Sequence, residues 1–317
     1  MAKFVKITFK NKNNFLKKIR FFLKHRQPLK YAFYRYEWNR APKKTKIRDF
    51  PVHLAIEPTN SCNLNCVFCA RQNINYKFDF LDMDLYKKII DEGAKRGLRS
   101  IKLSRGGESL IHPRFAEMIR YAREKGIIDI MFNTNSTLLS EEKSLEIINA
   151  KPDLIIFSVD APDKVIYESQ RVGANYEKTE ANIRRFIELK NKIYPKILTR
   201  AHMVYTDESQ CLIERHIARW QGLVDEVTVN MAKNYSEILT GKKFKCRGPF
   251  RRLDIACDGR VYVCDPDYDP KGKLTLGNVR EKSIFDMWHS AKMQKIRNAF
   301  LRNSPEEIDP CKYCRGI

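Results

Sequence analysis

Six short apolar runs, separated by longer amphipathic stretches, constrain the fold of this 317-residue chain more than any other feature. The runs, which we predict to be strands, are His53–Glu57, Ser100–Ser104, Asp129–Asn133, Leu154–Val159, Ile197–Tyr205 and Glu226–Met231. The predicted helices between them span about 84–96, 113–126, 141–150, 176–194 and 208–219. Such alternation predicts a parallel sheet with helices outside, and six units are too few for a closed eight-stranded barrel. We therefore predict an α/β fold with a partial (β/α)6 barrel.

The pattern changes after Asn234, where we place a domain boundary. Leu253–Cys257 and Arg260–Cys264 flank Asp258-Gly259, a signal for a two-residue hairpin turn that would pair Cys257 with Arg260. A helix is predicted near 283–301. We expect an N-terminal arm over 1–50, the barrel over 51–234, and a small hairpin-plus-helix domain over 235–317. That last domain buries little apolar area, so a metal would help to stabilise it.

The net charge of +22 is concentrated in the arm. Residues 1–50 hold sixteen Lys and Arg against two acidic residues, Glu37 and Asp49. A basic amphipathic stripe over 12–24, followed by aromatic residues, is typical of a helix at an anionic membrane surface, and the alternative is a helix packed against the barrel or a partner protein. We expect residues 1–40 to make a peripheral contact with the inner membrane face. Beyond residue 50 no basic stripe with interleaved aromatic residues appears, which argues against nucleic acid.

Nine cysteines, an odd number, fall mainly into two clusters, which indicates metal chemistry in a reducing cytoplasm rather than disulfides. No run of 18 apolar residues and no secretory signal is apparent. The first cluster is Cys62-x3-Cys66-x2-Cys69, directly after the first predicted strand. Three thiolates can hold three irons of a cubane and leave the fourth iron open. Zinc would need a further ligand, and His53 lies at the far end of the preceding strand.

With Phe68 before its last cysteine, this motif resembles that of the radical S-adenosylmethionine (radical SAM) superfamily. The resemblance covers about residues 50–232. It implies that the three cysteines hold a 4Fe–4S cluster, whose open iron binds SAM. In that family an electron from the cluster breaks a C–S bond of SAM, and the resulting 5′-deoxyadenosyl radical takes a hydrogen atom from the substrate. A flavodoxin- or ferredoxin-type protein would supply the electron.

The resemblance extends to further cofactor-binding residues. Gly106, Gly107 and Glu108 follow the second strand and resemble the segment that holds the SAM amine. Asn135 and Ser158 end the third and fourth strands, and Arg171 follows, where the family lines the SAM ribose and carboxylate. For these last three residues, ordinary capping of strand ends is the alternative interpretation.

The second cluster comprises Cys246, Cys264, Cys311 and Cys314, four thiolates that suit zinc or a fully ligated 4Fe–4S cluster. The layout C-x12-G-x4-C with a terminal C-x2-C resembles the SPASM/twitch extension of radical SAM enzymes, in its one-cluster form. Cys257 is a poorer ligand than Cys246, because the predicted hairpin would place it ~13 Å from Cys264 at ~3.3 Å per residue. Cys257 is then either a small buried hydrophobe or a donor of a hydrogen atom to a substrate radical.

A fully ligated auxiliary cluster can accept an electron but has no open iron for substrate. We therefore expect dehydrogenation or epimerisation at a carbohydrate or cyclitol carbon of a small molecule, such as a sugar or a lipid-linked glycan. The domain plan resembles that of family members that dehydrogenate an aminocyclitol. The alternatives are modification of a peptide or protein side chain, and a non-enzymatic iron–sulfur or zinc scaffold.

Overall fold

The computed structural model describes residues 21–40, 47–69, 71, 79–231, 246–264, 272–309 and 311. The strands are β1 His53–Ile56, β2 Asn65–Cys66, β3 Ser100–Leu103, β4 Asp129–Thr134, β5 Leu154–Ser158, β6 Arg171–Val172, β7 Leu198–Tyr205, β8 Glu226–Met231, β9 Arg252–Ile255, β10 Arg260–Tyr262 and β11 Thr275–Asn278. The helices are α1 Pro28–Arg40, α2 Met83–Lys95, α3 Phe115–Glu124, α4 Glu141–Ala150, α5 Lys164–Gln170, α6 Tyr176–Ile193, α7 Ile213–Trp220, α8 Ile284–His289 and α9 Ala291–Leu301.

The six predicted strands form the parallel part of one open sheet, in the order β1-β3-β4-β5-β7-β8. Each lies within one residue of its predicted bounds, so the α/β fold with a partial barrel is confirmed. Capping side chains fix several helix starts: Asp82, Ser140 and Asn175 each accept a hydrogen bond from a backbone N–H of the first turn. The helix predicted over 208–219 starts later, because residues 210–212 form a 3₁₀ turn.

The C-terminal strands extend this same sheet. β9 pairs in parallel with β1, β10 is antiparallel to β9, and β11 is antiparallel to β10. One hydrophobic core includes barrel residues such as Ile101 and Phe157 together with Leu253 and Trp288. The predicted single helix near 283–301 is two helices, since Ser290 ends α8 and caps α9 by accepting from the N–H of Met293.

The two-residue hairpin turn predicted at Asp258-Gly259 is wrong. Ile255 pairs with Val261, and the N–H of Ala256 donates to the carbonyl of Arg260 at 2.9 Å. Three residues, Cys257 to Gly259, therefore form the loop, with Gly259 at φ +90°. A three-residue loop that ends in a left-handed glycine is the next commonest way to join two antiparallel strands. The expected 257–260 pairing, and the side-chain facing deduced from it, are lost.

The described part of the N-terminal arm packs across the N-terminal ends of the strands. His25 and Tyr34 are buried, and the rings of Trp38 and His53 meet edge to face at 5.7 Å. Arg26 Nε donates to Asp153 Oδ1 at 3.2 Å. Residues 21–40 thus cover the floor of the barrel. Most of the basic stripe over 12–24 lies outside the described residues, so both interpretations of that stripe stay predictions. Among the described residues, no helix is long and apolar enough to cross a membrane.

Candidate functional site

The first cysteine cluster lies in the loop after β1, at the C-terminal edge of the parallel strands. Cys66 belongs to β2, which pairs with β6 so that Cys66 faces Arg171, and the N–H of Cys69 donates to the carbonyl of Cys66 at 3.0 Å. Burial raises the pKa of the Cys66 thiol to about 11 and also raises that of Cys62, with a further contribution from the charge of Cys69 in both cases. The loop thus holds Cys66 and Cys69 next to each other through their backbones, with Cys66 paired with Arg171.

Arg171 anchors this loop to the barrel. Its Nε and Nη2 donate to Asp160 Oδ2 at 2.6 and 2.5 Å, and its Nη1 lies 3.9 Å from Cys66 Sγ. The guanidinium carbon lies 5.9 Å from the centre of the Phe68 ring. Burial alone would lower the pKa of Arg171, but the Asp160 charge raises it above its ordinary value. A fixed cation beside Cys66 favours the thiolate, which is the form that binds metal.

Gly107 brings the predicted SAM-binding loop against the cysteine loop. A Cβ at this position would lie 2.4 Å from the carbonyl oxygens of both Thr59 and Ser61, so only glycine fits. The N–H of Glu108 donates to that same Ser61 oxygen at 2.8 Å, and the N–H of Gly106 donates to Glu57 Oε1 at 3.0 Å. The loop after β3 and the segment that leads into Cys62 are thus in direct backbone contact.

The buried Glu108 carboxylate joins this loop to the end of β4. It accepts hydrogen bonds from Thr134 Oγ1 at 2.8 Å, from the N–H of Asn135 at 2.7 Å and from the N–H of Leu110 at 3.2 Å. Burial raises the pKa of Glu108, and the Asn135 N–H opposes that shift. All three of these donors belong to the protein. A hydrogen bond from the SAM amine to the Glu108 carboxylate, which the family resemblance implies, stays a prediction.

The other predicted strand-end residues lie along the same edge. Asn135 Nδ2 donates to Asn63 Oδ1 at 2.9 Å, which links the end of β4 to the cysteine loop. Ser158, half-buried, ends β5 opposite His202 of β7. Contacts therefore link Arg171 to Cys66 and Phe68, Cys69 to Cys66, Gly107 and Glu108 to Ser61, and Asn135 to Glu108 and Asn63. Cys62 follows Ser61 directly in the chain, and Ser158 lies on the same edge of the sheet.

Sequence reasoning missed Glu57 and Arg105. Glu57 is buried at the end of β1, and its Oε1 accepts from Arg105 Nη1 at 3.0 Å as well as from Gly106. Its Oε2 accepts from the N–H of Cys257 at 3.1 Å. The signal was present, because an acidic residue directly after a fully buried strand needs partners.

Cys257 itself lies in the hairpin loop and is only 2% exposed. Burial and then the Glu57 charge raise the pKa of its thiol to about 12, so the thiol holds its proton. A protonated, buried thiol at this edge is compatible with either interpretation of Cys257.

The second cysteine cluster is described in part. Cys246, Cys264 and Cys311 are half-buried, the last two packing against the main core, and Cys314 lies outside the described residues. The N–H of Gly248 donates to Cys246 Sγ at 3.3 Å.

The residues at the first cluster fit an iron–sulfur cluster. Three cysteines stand in one loop, and thiolates are the protein ligands of such clusters. All-thiolate ligands, the Arg171 cation and the close approach at Gly107 suit an iron–sulfur cluster with a ligand on its open iron.

The chain matches two protein-family models and several known proteins. The family model described as the radical SAM superfamily matches residues 56–217, and the SPASM model, described as an iron–sulfur cluster-binding domain, matches residues 246–315. A tungsten-containing aldehyde ferredoxin oxidoreductase cofactor-modifying protein of Pyrococcus furiosus is 36% identical over 109 residues, or 34% of this chain and 30% of that protein. A probable GTP 3′,8-cyclase of Methanococcus maripaludis is 33% identical over 145 residues, which make up 45% of this chain and 47% of that protein. The chain thus spans less than half the length of these curated relatives.

Solved structures share the fold. BtrN in complex with AdoMet and 2-DOIA superimposes with a TM-score of 0.60 at 18% identity, covering 86% of this chain and 95% of BtrN. SuiB of Streptococcus suis bound to its precursor peptide SuiA gives a TM-score of 0.61 at 15% identity, covering 99% of this chain and 82% of SuiB. At these identities the likeness establishes the fold alone.

Proposed function

Because the chain belongs to the radical SAM superfamily and carries an iron–sulfur cluster-binding domain, we propose that it dehydrogenates or epimerises a carbohydrate or cyclitol carbon. The contact of Gly107 with the backbone of Thr59 and Ser61 carries the SAM-binding part of this proposal, since it sets the proposed SAM-binding loop against the cysteine loop. When bound, the cluster and SAM supply a carbon-centred radical that takes a hydrogen atom from the substrate.

The proposed cluster ligands divide into two sets. We assign Cys62, Cys66 and Cys69 to the SAM-binding 4Fe–4S cluster. We assign an auxiliary 4Fe–4S cluster to a second set, which consists of Cys246, Cys264, Cys311 and Cys314. Nine cysteines then leave Cys211 and Cys257 outside both clusters.

The protein's own side chains would orient SAM and keep its surroundings polar and fixed. Arg171, held by Asp160, places a positive charge beside Cys66. Asn135 and Ser158 offer polar groups at neighbouring strand ends, where ligands of parallel sheets bind. Glu108 holds the ends of β3 and β4 together, so that the Gly106–Gly107 backbone is fixed before SAM arrives.

The count of cysteines supports a small-molecule substrate. One auxiliary cluster with four thiolates has no open iron, so its use is to take up an electron when a substrate radical becomes a carbonyl. BtrN, whose structure carries AdoMet and 2-DOIA, matches this chain over 95% of its own length. These observations support the proposal without identifying the substrate.

Modification of a peptide is the second candidate. It is favoured by the superposition with SuiB bound to SuiA, which spans 99% of this chain. The two candidates differ in substrate size, so a short peptide and a set of aminocyclitols and sugars separate them directly.

Anaerobic reconstitution tests the proposal. We expect about eight irons per chain, as two 4Fe–4S clusters require. On reduction, the holoenzyme should release 5′-deoxyadenosine, with a flavodoxin or ferredoxin as electron donor and with dithionite as the chemical control. A product lighter by two hydrogens identifies dehydrogenation. A product of otherwise unchanged composition that has gained one deuterium from the solvent identifies epimerisation. Tightly bound zinc without SAM cleavage would instead indicate a scaffold and refute the proposal.

Cys257 decides between the two reactions. Epimerisation needs a group that returns a hydrogen atom to the substrate radical, and the protonated thiol of Cys257 suits this step. The thiol would become a thiyl radical, which one electron from the flavodoxin- or ferredoxin-type donor and one proton would restore. Cys257→Ala should then abolish deuterium incorporation while 5′-deoxyadenosine release continues. Full turnover to the same product by Cys257→Ala excludes the donor role and favours dehydrogenation.

We propose that α1 makes the membrane contact that the sequence suggested for residues 1–40 as a whole. The side of α1 that faces away from the barrel exposes Leu29 (83%) and Phe33 (53%) next to Lys30 and Arg40. Exposed apolar residues beside cations suit an anionic lipid surface.

A further inference from the structure

The buried carboxylate of Glu57 lies where two distant parts of the chain meet. Its Oε1 accepts from Gly106 N–H and from Arg105 Nη1, each at 3.0 Å, and its Oε2 accepts from Cys257 N–H at 3.1 Å. The first two donors belong to the SAM-binding loop after β3. The third belongs to the hairpin loop of the iron–sulfur domain, 200 residues away in sequence.

We propose that Glu57 is a positioning residue that couples SAM binding to the hairpin loop that carries Cys257. This inference rests on the proposed function, because it takes the Gly106–Gly107 segment as part of the SAM site. It adds Glu57 to the residues that the sequence motifs indicate.

The contacts explain why a movement at one loop reaches the other. Glu57 is 1% exposed, so its carboxylate depends on these protein donors rather than on water. Its backbone is fixed as well, since the N–H of Glu57 donates to the Ile255 carbonyl at 2.9 Å in the β1–β9 pairing. A shift of Gly106 toward bound SAM therefore changes the hydrogen bonding of the same carboxylate that holds Cys257.

Arg105 gives the coupling a second contact with the iron–sulfur domain. Its guanidinium carbon lies 5.6 Å from the centre of the Tyr262 ring, on β10. The Arg105 charge is thus held between the Glu57 carboxylate and a ring of the opposite segment. Coupling between two sites is reciprocal. Bound SAM should therefore hold the Cys257 loop closed by the same free energy by which the closed loop strengthens SAM binding.

The test uses the oxidised holoenzyme without reductant, so that SAM binds and is not cleaved. In a Cys211→Ser background, Cys257 is the remaining cysteine outside the assigned clusters, and its alkylation by iodoacetamide reports opening of the hairpin loop. We expect SAM to slow this alkylation about tenfold in the wild type, which corresponds to ~1.4 kcal/mol of coupling. In Glu57→Gln we expect faster alkylation, less than about twofold protection by SAM, and a SAM Kd about tenfold weaker.

Glu180→Gln is the matched control. Glu180 is also a buried carboxylate, but its partners, Arg184 and Arg219, belong to α6 and α7 rather than to the SAM-binding loop. This substitution should leave both the SAM Kd and the protection of Cys257 at their wild-type values. Loss of protection in both variants would point to general loosening and overturn the proposal.

A measurement on the wild type keeps the proposal testable if Glu57→Gln does not fold. Hydrogen exchange should show that SAM raises the protection of the Gly106 and Cys257 amides together. SAM binding that leaves the exchange and alkylation of Cys257 unchanged overturns the coupling but leaves the proposed function intact. Failure of the wild-type holoenzyme to bind SAM overturns both.

Discussion

Replacing Gly107 by alanine tests the central contact of the site. The added Cβ would lie 2.4 Å from the carbonyl oxygens of Thr59 and Ser61 and 2.9 Å from the carbonyl carbon of Asn60, whereas ordinary contacts begin at 3.4 Å. These are backbone atoms that no rotamer change can remove, so one of the two loops must move by about 1 Å. Overpacking of this kind costs about 1–3 kcal/mol. Loss of the bond from Glu108 N–H to Ser61 adds about 1 kcal/mol.

We therefore expect Gly107→Ala to lower the free energy of unfolding by about 2–4 kcal/mol. We also expect the SAM Kd to rise at least about tenfold, which corresponds to a loss of ~1.4 kcal/mol of binding free energy. Anaerobic denaturant unfolding and equilibrium binding of SAM to the oxidised holoenzyme measure the two effects separately. Iron content shows whether the cysteine loop still holds its cluster.

Gly126→Ala is the control for a generic glycine effect. Gly126 has φ +85°, and a Cβ at this position would have no atom within 4 Å, so its cost is backbone strain of about 1 kcal/mol without any steric clash. SAM affinity should stay unchanged in this control. If Gly107→Ala has wild-type SAM affinity and loses no more stability than Gly126→Ala, the close approach of the two loops is refuted.

Other parts of the structure support three further predictions. Burial and then the Asp153 charge raise the pKa of Asp129 to about 7 from the ordinary 3.8, so ionisation of Asp129 opposes folding increasingly as the pH rises through that range. Relative to the wild type, Asp129→Asn should gain up to roughly 4 kcal/mol of unfolding free energy between pH 4 and pH 8. The difference in Tm between the two proteins should therefore grow with pH, and a constant difference would contradict this prediction. Arg171→Met should cost about 3–5 kcal/mol because Asp160 would stay buried without its partner, and denaturant unfolding of this variant and of the double variant with Asp160→Asn should show strong non-additivity. Leu29→Glu with Phe33→Glu should abolish sedimentation with anionic vesicles and leave Tm within about 1 °C, whereas equal vesicle binding would exclude the membrane contact through α1.

The barrel could be predicted from the sequence because its signal is local. Each strand of the series β1, β3, β4, β5, β7 and β8 is a short apolar run, and longer helical stretches separate these runs. Hydrophobic periodicity reports such elements directly. The cysteine spacing was equally local, so the position of Cys62, Cys66 and Cys69 after β1 was evident without coordinates.

Features that depend on tertiary contacts could not be predicted in this way. Asp258-Gly259 is compatible with a two-residue turn, but β10 pairs with β9 in the register that places Val261 opposite Ile255 and leaves a three-residue loop. Residues 21–40 show a basic, aromatic pattern that suits both a membrane surface and a protein surface. The structure shows that one side of this segment, including Tyr34, covers the barrel floor.

The parallel pairing of β9 with β1 determines how the two iron–sulfur regions meet. In a parallel pair both strands end at the same edge of the sheet, so the loop after β9 emerges beside the loop after β1. Cys257 is therefore brought to Glu57, five residues before Cys62, although the two segments lie far apart in sequence. An antiparallel β9 would have placed the hairpin loop at the opposite edge, next to Tyr34 and the barrel floor. The contact between the proposed SAM-binding loop and the iron–sulfur domain thus follows from the direction of this one strand.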